Sequence, residues 1–200
     1  MMGLSRFAIM SGLGTLFLFG CGPVPPPEVS DHKVVVVLPP ENMTAHNEVE
    51  ERSYPEISAA FAQRGYYCIS PELVRAVFNA NKFEDAGRIN TLPVQKIGEV
   101  FGADAVLRTR VTEWSTTYIL VYASVTVGLE MELLDVKTGG VIWTAKRTLS
   151  KKPDPNQVND PISLLVASAF TAMLSYDEVV DENAHEMLSN LIQGPYYGQW

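Results

Sequence analysis

The sequence predicts an α/β (α+β) domain, three-layer-like, built on one mixed sheet, and three observations carry that reading. The first is Val34–Leu38, a continuous β-branched run stopped by Pro39-Pro40, the pattern of a strand buried on both faces. The second is the alternation of short strands with helical segments as far as Gly102, and the third is a change from Ala105 to about Ser150, where strands follow one another with period-two alternation. The early strands are therefore joined by helices and the later ones form an antiparallel meander. Two C-terminal helices close the chain.

Taken in order, Val34–Leu38 reads as the centre of the sheet. Val49, Ile57, Ala60 and Phe61 mark a helix over Glu48–Arg64, interrupted or kinked by Pro55 and stopped by Gly65. Tyr66–Ile69 is a second short strand. Pro71 opens a helix through Val74, Val77 and Phe78, a position proline tolerates. Pro93 opens the next, with Val94, Ile97 and Phe101 on one face and Gly102 at its end.

From Ile119 to Leu133 every odd position is apolar, and the even ones are mostly polar, so one face is buried. Leu107, Val111, Val141, Trp143, Ala145 and Leu149 join the apolar side; Arg108, Arg110, Thr144, Lys146 and Thr148 lie opposite. Because opposed residues of an antiparallel pair share a face, the loop at Lys137–Gly140 must leave an odd number unpaired. Three residues put Glu132 opposite Lys146, and five put Glu130 there. After a Lys-Lys-Pro-Asp-Pro-Asn linker, Ile162, Leu165, Val166, Ala169, Phe170 and Met173 define an amphipathic helix. Val180, Ala184, Met187, Leu188 and Leu191 define the last, broken by Gly194-Pro195.

Residues 1–20 stand apart. Arg6 precedes an apolar run, Phe7–Phe19, too short to span a bilayer and built like the core of a secretory signal. The run ends in Leu18-Phe19-Gly20-Cys21, which resembles the lipobox of bacterial lipoproteins, with Leu18 three places before the cysteine and Gly20 directly before it. The resemblance implies that Cys21 becomes the first mature residue and carries acyl chains on its sulfur and amino group. Two or three chains anchor firmly where one does not. Gly22, in place of the Asp that retains such proteins at the inner membrane, implies the periplasmic face of the outer membrane of a Gram-negative bacterium. The expected organisation is a signal peptide over 1–20, a lipidated proline-rich tether over 21–32 and an α/β domain over 33–200. Gly22–Glu28 favours polyproline II, so the tether holds the domain at most ~30 Å from the lipid.

Without the signal the chain has 14 basic and 23 acidic residues, which argues against nucleic acid as a partner. With Cys21 lipidated, Cys68 has no intramolecular partner, and its apolar setting reads as core. His32, His46 and His185 form no metal-ligand spacing, and no phosphate-cradling glycine loop or nucleophile motif is present. No cofactor or metal is expected. Glu41 and His46, in the loop after the first strand, could form an acid/base pair for a hydrolase; the plainer reading is that Asn42, Thr44 or Asn47 caps the next helix. Arg108 and Arg110 on the polar face, Trp114, Tyr118 and Tyr122 along the strands, and Tyr196, Tyr197 and Trp200 in the tail are the candidate interaction residues, since aromatics and arginines anchor interfaces.

Several segments together resemble a family of small bacterial lipoproteins that includes a genome-derived neisserial antigen. They are the lipobox, Val35–Asn42, Ala62–Tyr67, Lys96–Leu107, Leu134–Trp143 and Gly194–Tyr196. The Gly-Ala-Asp-Ala-Val and Asp-x-x-Thr-Gly pieces are shared with the curli-secretion lipoprotein, the penicillin-binding-protein activator and the amino-terminal domain of TolB. The resemblance implies a non-enzymatic scaffold or accessory subunit of an envelope transport or secretion complex, self-associating and contacting another envelope lipoprotein or channel. Activation of a peptidoglycan synthase is the alternative. A membrane-spanning hairpin at Ile119–Leu133 is disfavoured by Glu130, Glu132 and a turn expected at Ser115–Thr117.

Overall fold

The structure, a computed structural model, describes residues 31–119, 122–152 and 176–197, the side chains of 118–123 excepted. Chain order runs β1 (Val34–Val37), β2 (Glu41–Asn42), α1 (Val49–Gln63), β3 (Tyr67–Cys68), α2 (Pro71–Ala80), α3 (Ala86–Asn90), α4 (Val94–Phe101), β4 (Ala105–Ile119), β5 (Tyr122–Asp135) and β6 (Val141–Lys151). A helix over 176–188, α5, follows. The six strands form one sheet in the order β3-β1-β4-β5-β6, with β2 also on β4. β1 pairs in parallel with β3 and β4, and β4, β5 and β6 are antiparallel. The mixed sheet and meander are as the sequence predicts.

Alternate residues of the same strands feed two cores. Val35, Val37, Leu107, Leu129, Met131 and Leu133 pack beneath α1 and α5. Val36, Leu38, Val106 and Leu134 pack beneath α2, α3 and α4. This makes three layers, and it explains the unbroken apolar run of β1, which has helices on both faces. The centre of the sheet is nevertheless β4 and not β1, because β1 is second from an edge; burial on both faces reports the helical layers, not strand position. Pro39 and Pro40 cannot donate to the ladder, so the β1 line pauses there and resumes as β2, where Glu41 pairs with Arg110.

α1 runs unbroken through Pro55. Pro55 and Glu51 are both exposed, on the side of the helix where a missing backbone bond costs least. Asn42 and Thr44 do not cap α1: its N-cap is Glu48, with no side-chain bond. They close their own loop instead, the Asn42 side chain accepting from Thr44 N and Oγ1 at 2.8 Å each and donating to His46 O. Ser70 caps α2 with Pro71 at its first position, and Gly102 ends α4 in the left-handed region at φ 65°. The short α3, capped by Asp85 onto Arg88 N at 2.7 Å, has too few periodic residues to be read from sequence.

β4 is longer than the sequence suggests. Ser115–Thr117 lie inside it, and Ile119 pairs with Tyr122, so the reversal comes after Ile119. A bulge falls between Val111 and Glu113, and it changes which face the following residues occupy. Gly128 makes room for it: a Cβ there would stand 2.7 Å from Thr112 Oγ1 and 2.8 Å from Glu113 Cβ. Between β5 and β6, Glu130 faces Lys146 and Glu132 faces Thr144, the register of the five-residue loop. The predicted helix at 162–173 lies outside the described residues.

Candidate functional site

Helices α2–α4 cover only part of their side of the sheet, leaving the polar residues of β4, β5 and β6 open. A cleft of about 410 Å³ lies there, between the strands and α3, lined by Glu41, Asn90, Arg108, Arg110, Glu130, Glu132 and Lys146 among others. Two of the predicted interaction residues, Arg108 and Arg110, thus meet in one site, both on β4. Glu130 is the hub: Lys146 Nζ lies 2.5 Å from one carboxylate oxygen and Arg110 3.5 Å from the other. The Lys146 hydrogen bond and the charges of Lys146 and Arg110 hold the Glu130 carboxyl below its ordinary range. Arg110 also stands 4.0 Å from Glu41. Arg108 donates to Leu92 O at 2.8 Å, which ties the cleft floor to the α3–α4 connection. Asn90 donates to Pro39 O and Ala86 O, both at 2.8 Å, and so fixes α3 to the end of the β1 line. Asn90 and Glu132 are not singled out as site residues by the sequence; for Glu132 the available signal is its place on the polar face with the cationic strand positions, and for Asn90, on the short α3, there is none.

A second cluster sits where the tether would join. Asp104, at the start of β4, accepts from Lys33 N and Val34 N at 3.1 and 3.0 Å. His32 Nε2 lies 2.8 Å from Asp135 Oδ2. Asp135 also accepts from Thr138 N and Oγ1 at 2.6 Å each. These Thr138 bonds, with that of His32, hold its carboxyl far below the usual carboxylate range. The Gly-Ala-Asp-Ala and Asp-x-x-Thr-Gly segments therefore build a corner that grips residues 32–34.

The tail forms a third cluster. Gly194 N donates to Arg64 O at 2.9 Å and Tyr196 N to Gly65 O at 3.0 Å. Arg64 reaches Ser189 O and Leu191 O, and Tyr66 Oη donates to Ile192 O at 2.6 Å. The fit is close: a Cβ on Gly194 would meet Gly65 O at 2.1 Å, and one on Gly65, at φ 92°, would meet Tyr197 N at 2.4 Å. The start of the aromatic tail thus docks on its own domain. Tyr197 is half-exposed beyond it.

Trp114 is not a surface residue. The β4 bulge turns it into the core, where it is 2 % exposed and stacks on Tyr176 with ring centroids 4.2 Å apart. Tyr118 and Tyr122 lie at the far end of the β4–β5 hairpin, with their side chains outside the described set; Cys21 and Trp200 are outside it too. Glu41 and His46 are not brought together as a pair by any contact: Glu41 stands by Arg110 and His46 by Glu48, 3.6 Å away. Burial pushes the Cys68 thiol up to about 12, so it stays protonated. Among the described residues no cluster of metal-ligating side chains occurs, and no helix is long and apolar enough to cross a membrane.

A three-layer α/β domain whose first strand is gripped at its root is the architecture of a lipoprotein family. The chain belongs to the family described as "Putative lipoprotein GNA1162-like", whose model matches residues 28–193. It is 27 % identical over 115 residues to "Putative lipoprotein NMB1124/NMB1162" of Neisseria meningitidis serogroup B, covering 58 % of this chain. The aligned part spans about half, 54 %, of that curated relative. Among solved structures, lipoprotein GNA1162 from Neisseria meningitidis superposes with a TM-score of 0.57 at 24 % identity, covering 72 % of this chain and 98 % of that one. A PelC dodecamer from Paraburkholderia phytofirmans gives 0.54 at 18 % identity, covering 84 % and 93 %. At these identities the structural likeness concerns the fold.

Proposed function

We propose that this chain is an outer-membrane lipoprotein, anchored through acyl chains on Cys21 with its domain in the periplasm, that serves as a non-enzymatic scaffold or accessory subunit of an envelope transport or secretion complex. Membership of a lipoprotein family over residues 28–193 is the observation that carries the reading. It is supported by the order of parts along the chain: a lipobox-like segment, about ten proline-rich residues, then a domain whose root is held by Asp104 on Lys33 and Val34 and by Asp135 on His32. Self-association belongs to the same reading, because a protein of this fold has been solved as a dodecamer. Its other partner would be a second envelope lipoprotein or a channel. Arg108 and Arg110, with Tyr197 and the far end of the β4–β5 hairpin, are the surfaces offered to them.

The test is metabolic labelling with a clickable palmitate, comparing wild type with Cys21→Ala and separating inner from outer membrane. Label in the outer membrane that disappears in Cys21→Ala is the expected result. An unlabelled, freely soluble wild type would overturn the anchor and the location together.

A further inference from the structure

We infer that the cleft between α3 and strands β4–β6 binds an amino-acid zwitterion, a group carrying an ammonium and a carboxylate on one carbon, with Arg108 taking the carboxylate and Glu132 the ammonium. Arg108 and Glu132 are direct partners across β4 and β5. That places their Cβ atoms about 5 Å apart. Opposed ions at that spacing ordinarily pair. Here no ion pair joins them, whereas the neighbouring Arg110, Glu130 and Lys146 are tied into one network. Arg108 spends one nitrogen on Leu92 O, and its Nε is buried with no partner.

Two orphaned polar atoms belong to residues of the same cleft. Buried polar groups in folded proteins are almost all satisfied. Of the five unsatisfied buried side-chain atoms among the described residues, two, Arg108 Nε and Asn90 Oδ1, belong to residues lining this one cleft. One is a donor and the other an acceptor. Its volume, about 410 Å³, lies within the range of small-molecule sites.

The charge pattern selects the ligand. Arg108, Arg110 and Lys146 face Glu41, Glu130 and Glu132, three cations against three carboxylates. A simple anion would be repelled by the carboxylates and a simple cation by the others; a zwitterion satisfies both at once. Guanidinium–carboxylate bonds are charge-assisted and directional, and in the half-enclosed cleft they are screened less than at an open surface. Two sources offer this chemistry: a free amino acid, and a peptide side chain that ends in one, such as the diamino-dicarboxylate residue of a cell-wall stem peptide.

The experiment is calorimetric titration of the detergent-solubilised full chain with three probes: L-alanine, a stem tripeptide ending in meso-diaminopimelate, and the same tripeptide with its distal amine acetylated. Saturable binding of either unblocked probe, weakened at least tenfold in Arg108→Gln and in Glu132→Gln and unchanged in the remote Lys96→Ala, is the expected result. Alanine binding as well as the tripeptide assigns a free amino acid; binding of the tripeptide alone, lost on acetylation, assigns the wall peptide. Thermal melts of both cleft variants within a few degrees of wild type keep loss of binding separate from loss of fold; should Arg108→Gln melt early, Arg108→Lys takes its place. No binding by either unblocked probe, equal binding by the blocked one, or undiminished binding in the Arg108 and Glu132 variants would overturn the assignment. None of these outcomes depends on Cys21 being acylated.

Discussion

At the scale of single residues, a charged group can owe its place to the fold. Asp135 illustrates it. Its carboxylate is shared by Thr138 N, Thr138 Oγ1 and His32, so the charged form is favoured in the fold and the pKa lies well below the ordinary 3.8. A carboxyl depressed in this way stabilises the fold at every pH above its unfolded value, and that contribution is lost as pH falls through the folded value. In Asp135→Asn, urea midpoints measured between pH 7 and pH 3 should therefore fall less steeply with acid than in wild type. At pH 7 the variant should be less stable by ~1.5–3 kcal/mol, the scale for hydrogen bonds to a charged group. Parallel acid profiles for the two proteins would remove Asp135 as the source. Gly194 is a second case, set by space: with Gly65 O 2.1 Å from any added Cβ, Gly194→Ala must displace the tail. The expected cost is ~1–3 kcal/mol, read as a lower melting temperature and faster hydrogen exchange at the amides of Gly194 and Tyr196.

At the scale of elements, what the sequence revealed and what it hid have different physical origins. Period two in β5 and the apolar stripe of α5 were plain because one face of each meets a single core, and the alternation of Val125–Leu133 maps onto that core residue by residue. The placing of Trp114 was hidden, because a bulge inverts parity without altering local composition. Its trace was Gly128, an even-numbered residue without a side chain in an otherwise regular strand, facing Glu113 across the ladder. Gly128→Val should force the bulge open, cost ~1–3 kcal/mol and weaken the near-ultraviolet circular dichroism of the stacked Trp114–Tyr176 pair. An unchanged aromatic spectrum would mean that the bulge does not set the stack. The cleft was half legible. Strand alternation put Arg108, Arg110, Glu130 and Lys146 on one face, but Asn90 reaches them only through α3, whose five residues carry too little periodicity to be noticed.

At the scale of the whole molecule, the proposed anchor on Cys21 sets an expectation for which end faces the lipid. β1 and β4 run parallel, and both begin at the corner where Asp104 holds Lys33 and Val34. From that corner β4 runs fifteen residues, about 46 Å at ~3.3 Å per residue, and passes its last shared residue with β2 at Val111 by some 25 Å. If the proposed Cys21 anchor holds, the loop Val136–Gly140 is expected nearest the bilayer and the β4–β5 hairpin is expected to point away from it. That orientation is measurable on the lipidated protein in vesicles carrying headgroup energy acceptors. A donor dye on Lys137→Cys should transfer energy more strongly than the same dye on Thr117→Cys, both positions being exposed. Cys68, a free and partly exposed cysteine, is replaced by Ala in both labelled proteins so that it does not compete for the dye. Equal transfer from the two positions would mean that the domain lies flat on the membrane, with the hairpin beside the lipid. The hairpin would then serve as a membrane contact, and the proposed partner surface would have to move to the cleft and the half-exposed Tyr197.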